Sequence, residues 1–164
     1  MDVTLSLAQA ANIDVSGHLN ALGLSWEIIG PSPLPAFVVV AVVRVPPDQS
    51  KQALRAELRL VDASGQDVTL GDGSERKMLI QDTITVPPAS ERPAGLSGGA
   101  AMIVEMSAGL VLDPGLYEWI LTVSGESRPE WRRRFYVRAK ADEYPPRLRL
   151  TGRTLAERSV GDAE

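Results

Sequence analysis

No stretch of this chain runs far without a residue that interrupts regular backbone. Twelve prolines and fourteen glycines are spread through 164 residues, about one position in six. Proline fixes φ and removes the N–H donor, and glycine weakens a helix interior. A chain punctuated this densely builds short strands joined by turns rather than long helices.

The pattern between the breaks agrees. Val3, Leu5 and Leu7 alternate with Thr4 and Ser6, the period of a half-buried strand, so Val3–Ala11 is expected as the first strand. Asn12–Gly17 supplies turn residues, and Leu19–Ile29 resumes as a second strand bulged at Gly23, the two forming a hairpin. Three prolines in Gly30–Pro35 make a crossing loop. Phe37–Val45 is a β-branched run without alternation, as in a central strand covered on both faces. Leu54, Ala56, Leu58 and Leu60 alternate with charged residues, which outweighs Ser50 as a helix cap and makes this stretch a strand. Asp62–Asp67 then turns the chain, Val68–Leu70 starts the return, and Gly71–Ser74 breaks it.

Met78–Val86 is the next strand and Pro87–Gly99 an exposed loop. Met102, Val104 and Met106 alternate in a further strand. Leu116–Val123 and Trp131–Arg138 close the domain as a hairpin around Ser124–Gly125–Glu126. About eight short strands with turn signals between them indicate an all-β protein, and an immunoglobulin-like β-sandwich above other layouts. Residues 1–138 form that domain. A charged C-terminal extension, 139–164, is expected to be partly disordered or docked as an added strand.

Asp113-Pro114-Gly115-Leu116-Tyr117 has the spacing of a tyrosine corner, in which a hydroxyl bonds back to nearby backbone. Trp119 stands two residues on, where an antibody domain carries a cysteine. This chain has no cysteine, so a sandwich is held by its core alone, without disulfide or thiolate metal site.

The run Gly17-His18-Leu19-Asn20-Ala21-Leu22-Gly23-Leu24-Ser25-Trp26, with the later Gly115–Trp119 and Phe135–Val137 strands, resembles an uncharacterised bacterial domain family. The likeness spans about residues 2–138. It implies a compact β fold and transfers no catalytic residue. Leu24 and Ser25 stand where that family more often has glycine, which implies a less pronounced bulge here.

Candidate chemistry is sparse. His18 is the sole histidine and shares a polar turn with Asp14 and Ser16, an arrangement of a solvated turn rather than a triad. Asp62, Asp67 and Asp72 sit near glycines, yet no calcium loop with a closing glutamate is present, and hairpin turns require Asp and Gly anyway. Gly95–Gly99 is not followed by the Lys and Ser/Thr of a phosphate loop. No cofactor is implied. A net charge of −4 gives no general pull toward nucleic acid. The longest apolar run, Ala36–Val43, is far shorter than the roughly 20 residues of a membrane-spanning helix. With no signal-like leader, the chain is expected in the cytoplasm.

Trp131-Arg132-Arg133-Arg134-Phe135-Tyr136 is the one basic stretch with aromatics. As a strand it turns Trp131, Phe135 and Val137 inward and Arg132 and Arg134 outward, leaving Arg133 on the costly inner face unless it reaches a partner or the sheet edge. In the tail, Arg147-Leu148-Arg149-Leu150 alternates and suits strand addition to a sheet edge. The expected role is a non-enzymatic protein-interaction or assembly module, with a protein partner or a second copy meeting Arg132, Arg134, Tyr136, Arg147, Leu148, Arg149 and Leu150. Nucleic acid and membrane are not expected partners. The alternative is a small-ligand, carbohydrate or calcium-binding sandwich. Trp26, Trp119 and Trp131 are assigned to packing; all three exposed on one face would favour carbohydrate instead.

Overall fold

Phe37–Val45 is the strand around which one sheet is built. The computed structural model describes residues 1–47, 53–69, 76–87, 89–91, 93 and 95–140. Among them run ten strands: β1 (Asp2–Ala8), β2 (Ala10–Ile13), β3 (Leu19–Leu22), β4 (Ile28–Ile29), β5 (Phe37–Val45), β6 (Ala53–Asp62), β7 (Leu79–Thr85), β8 (Gly98–Met106), β9 (Gly115–Val123) and β10 (Arg132–Val137). Two short 3-10 turns, Ala89–Glu91 and Pro129–Trp131, are the only helical pieces among the described residues.

The strands make two packed sheets and a separate hairpin. One sheet has the order β1-β5-β8, the other β4-β10-β9-β6-β7, and β2 pairs with β3 alone. All pairings are antiparallel except β4 with β10, which is parallel. Period-two alternation then builds the core. Leu5, Leu7, Val39, Val43 and Met102 of the smaller sheet meet Leu58, Leu60, Trp119, Leu121, Phe135 and Val137 of the larger one. Each such side chain contributes about 1.5–3 kcal/mol when fully buried. The chain is thus an all-β sandwich.

The absence of alternation in β5 has the expected cause. Its Phe37, Val39, Ala41, Val43 and Val45 enter the main core. Val38 and Val40, on the other face, form a second cluster with Ala8, roofed by Ala11, Leu19 and Ala21 of the β2–β3 hairpin. A small hairpin laid across the outside of the smaller sheet makes its central strand apolar on both sides.

That hairpin differs from the expected one. Val3–Ala11 and Leu19–Ile29 do not pair end to end. β1 lies against β5, with Leu5 opposite Ala41, and only Ala10–Ile13 pairs with Leu19–Leu22. In that position β1 turns Val3, Leu5 and Leu7 to the core, which the alternation requires of any neighbour it takes. The second stretch divides at Gly23 and Ser25, whose φ angles of 63° and 68° are left-handed. Ser25 thus adopts the backbone that glycine takes freely, and the chain leaves the strand here rather than bulging within it. Beyond it, Ile28–Ile29 crosses to the larger sheet. These divisions raise the strand count from about eight to ten.

β8 also begins earlier than expected. Gly98 and Gly99 pair with Val45 and Arg44, although Pro87–Gly99 reads as loop. Glycines in a strand leave no apolar signal.

The corner forms as its spacing implies: the Tyr117 hydroxyl donates to the Asp113 carbonyl oxygen at 2.9 Å. Its ring stacks on Phe135, centroids 5.7 Å apart. Trp119 and Trp131 are fully buried and Trp26 packs partly buried against the core, so the three make no exposed aromatic platform.

Candidate functional site

β9 and β10 are joined by a tight turn in which Ser124 and Gly125 both have positive φ, 50° and 85°. Val123 and Glu126 exchange N–H···O bonds of 2.8 and 3.0 Å across it. This is a two-residue turn of the kind whose twist suits a hairpin. The 3-10 turn Pro129–Trp131 then adds residues to one side before the ladder resumes with Arg132 opposite Ile120. Arg134 faces Glu118 and Tyr136 faces Leu116.

Trp131, Phe135 and Val137 are buried, and Arg132, Arg134 and Tyr136 are exposed on the outer face, as the alternation implies. Glu118 organises the two arginines. Its carboxylate accepts from Arg134 Nε at 2.8 Å and, more weakly, from Arg132 Nη1 at 3.4 Å. Glu118 is only 14% exposed and Arg134 is 71% exposed, so the acid is anchored and the guanidinium remains accessible.

Beside this charged row lies an apolar one. Ile28 is the register partner of Tyr136, which in turn faces Leu116, and all three side chains are exposed. A groove of about 510 Å³ runs along the strand here. Arg133 resolves the expected conflict of an inward charge by reaching the rim. Its Nη2 donates to the Trp26 carbonyl at 3.4 Å and lies 3.7 Å from Glu27 Oε1. Its Nε is buried and has no hydrogen-bond partner among the described residues.

The sequence singled out Arg132, Arg134 and Tyr136, and the structure brings them together. It missed Glu118, Leu116, Ile28 and Glu27, which reach the same face from neighbouring strands. Arg147, Leu148, Arg149 and Leu150 lie outside the described residues.

The remaining polar candidates are engaged locally. His18 is exposed in the β2–β3 turn, with its N–H donating to Asp14 Oδ1 at 2.9 Å. Asp62 Oδ1 accepts from Ser64 N–H (2.8 Å), the Ser64 hydroxyl (2.7 Å) and Gln66 N–H (3.0 Å). The Ser64 hydroxyl and then the Gln66 amide hold its carboxyl below the ordinary value. Asp67 is bound by Lys77 at 2.7 Å and approached by Arg59 at 3.4 Å. Asp62 is thus engaged by its turn and Asp67 by two cations of neighbouring segments, and Asp72 lies outside the described residues. Burial, with the Asp113 and Asp62 charges next, raises the Tyr117 hydroxyl above its usual range. No described helix is long and apolar enough to cross a membrane.

A two-sheet all-β domain with an exposed, mixed apolar and charged strand face is the class these observations define. The chain belongs to a family of unknown function, DUF6941, which matches residues 3–138 and so ends just past β10. No curated protein and no solved structure matches it.

Proposed function

We propose that this chain is a non-enzymatic protein-interaction or assembly module, built on an immunoglobulin-like sandwich, that binds a protein partner through the outer face of β9 and β10. The observation that carries it is the adjacency of the Ile28–Tyr136–Leu116 row and the Glu118-anchored arginines. An apolar centre beside polar, Arg- and Tyr-bearing flanks is the composition of a docking surface. Holding Arg134 on a nearly buried carboxylate also reduces the entropy lost when a partner orders it.

Three features support the immunoglobulin-like reading: the two-sheet strand order, the short strand parallel to the last one, and the tyrosine that bonds back at the start of β9. The end of the family match at 138 supports taking 1–138 as the domain and the rest as an appended segment.

The test is affinity capture of the tagged full chain from its native host beside Arg132→Gln/Arg134→Gln and Tyr136→Ala. A partner retained by the parent chain and lost by both variants, with folding intact by circular dichroism, bears the reading out. Partners retained equally by all three refute it.

A further inference from the structure

One side of β10 carries a full ladder and the other only half of one. β9 pairs along Arg132–Val137, whereas β4 reaches only Tyr136 and Val137. On the β4 side, Tyr136 N–H donates to Glu27 O (2.7 Å) and Arg138 N–H to Ile29 O (3.0 Å). Peptide groups alternate in direction along a strand, so the Arg134 and Arg132 N–H groups point to that side as well. No described strand pairs with them there, although β1 packs close to β10 and to the Pro129–Trp131 turn. Before Glu27 the chain swings to the other sheet, where Ser25 N–H bonds Leu7 O of β1 at 2.9 Å.

The groove follows this open stretch. It is lined by Arg133 and Phe135, which face inward, and by Arg132, Arg134 and Tyr136, which face outward. It therefore wraps around the strand edge. Three consecutive guanidiniums are answered there by two carboxylates, Glu118 and Glu27. The contacts of Arg133 are long, and its Nε has no partner among the described residues. The edge offers main-chain hydrogen bonds together with surplus positive charge.

This charge selects the occupant. A second copy adding through the same strand would lay arginine against arginine, and like charges opposed across a ladder destabilise it. The basic Arg147–Leu150 segment meets the same repulsion. We propose that the open half of β10 takes an extended, acidic segment of a partner protein as an added strand, bonded to the Arg132 and Arg134 main chain. Its carboxylates fall beside the arginines of the outer face. Main-chain bonds supply affinity and the alternating side chains supply selection. The inference rests on the partner-surface reading above and specifies what the partner presents.

The probe is a labelled, end-capped octapeptide alternating glutamate and valine, titrated into the full chain at low salt. Controls are the lysine–valine peptide and two glutamate–valine isomers N-methylated on either alternating set of amides. Saturable binding is expected, weakened at least about tenfold by lysine and lost in one N-methyl isomer. Arg134→Pro removes the outward N–H and leaves the β9 ladder intact, so it should abolish binding, while Arg134→Ala should keep part of it. No binding by the glutamate–valine peptide, or equal binding by both N-methyl isomers, overturns the proposal even if Arg134→Pro fails to fold. A captured partner lost by Arg132→Gln/Arg134→Gln but kept by folded Arg134→Pro overturns strand addition and leaves the partner surface standing. If every variant keeps its partners, both readings fall.

Discussion

The Tyr117 hydroxyl donates to the carbonyl oxygen of Asp113, four residues earlier, at 2.9 Å. The bond ties the loop entering β9 to the strand itself, while the Tyr117 ring stacks on Phe135 of β10. One side chain thus fixes both where β9 begins and how β10 lies against it.

Tyr117→Phe keeps the ring and deletes the bond. A loss of about 1 kcal/mol in urea unfolding is expected, since the Asp113 carbonyl loses its donor. The same variant should change the alkaline limb. Tyr117 has a raised pKa in the folded protein, from burial first and then the Asp113 and Asp62 charges. The unfolded chain therefore releases this proton first, and stability falls as pH rises above about 10. In Tyr117→Phe that fall should be shallower; an unchanged limb would show that the hydroxyl does not contribute to it.

Trp119 fills the centre of the sandwich, yet its Nε1 is buried without a hydrogen-bond partner among the described residues. Trp119→Ala is expected to cost about 3–5 kcal/mol through the cavity it leaves. Trp119→Phe removes the unpaired donor along with some volume, and should cost less than half as much. Equal losses in denaturant titrations would mean that volume alone matters at this position.

Three turn carboxylates predict the acid limb. His18 N–H for Asp14, the Ser64 hydroxyl for Asp62 and the Lys77 ammonium for Asp67 are the leading causes that lower each pKa below the ordinary 3.8. Their contribution is present above that value and is lost as pH falls through the lower, folded pKa. The melting temperature should drop below pH 3.8, and Asp62→Asn should flatten part of that drop. An acid limb identical to the parent's would remove Asp62 from the account.

The β9–β10 turn leaves room for improvement. Ser124 holds φ at 50° without being glycine. Asparagine tolerates that region better, so Ser124→Asn should raise stability by roughly 0.5 kcal/mol. Gly125→Ala, at φ 85°, should lower it by about 1 kcal/mol or more. A thermal melt of each variant checks the two signs.

Much of the fold was legible where a residue's own pattern decides the matter. Leu54, Leu58 and Leu60 declare a strand face, and Phe37–Val45 a strand buried on both sides, whatever packs against them. Trp131, Phe135 and Val137 were assignable inward for the same reason. The hairpin at β1 was misread because Val3–Leu7 specifies an apolar face and not a neighbour. The face opposite Arg134 was hidden for a sharper reason. Val123 faces Glu126 at the turn, but Ile120 faces Arg132, three residues back on one strand and six forward on the other. The Pro129–Trp131 turn absorbs the three extra residues and resets the register, so a count from the turn would place Gly115, not Glu118, beside Arg134.

By itself the sequence determined that this chain is all-β, where its core faces lie, and which arginines turn to solvent. Those properties follow from short-range alternation and from the backbone limits of proline and glycine. Only the tertiary structure decided that Glu118 anchors Arg134, that Ile28 joins Tyr136 and Leu116, and that among the described residues half of β10 has no strand paired to its β4 side. These depend on register and on which strand lies beside which. Both are chosen by burying every apolar face at once, a condition no single stretch of sequence contains.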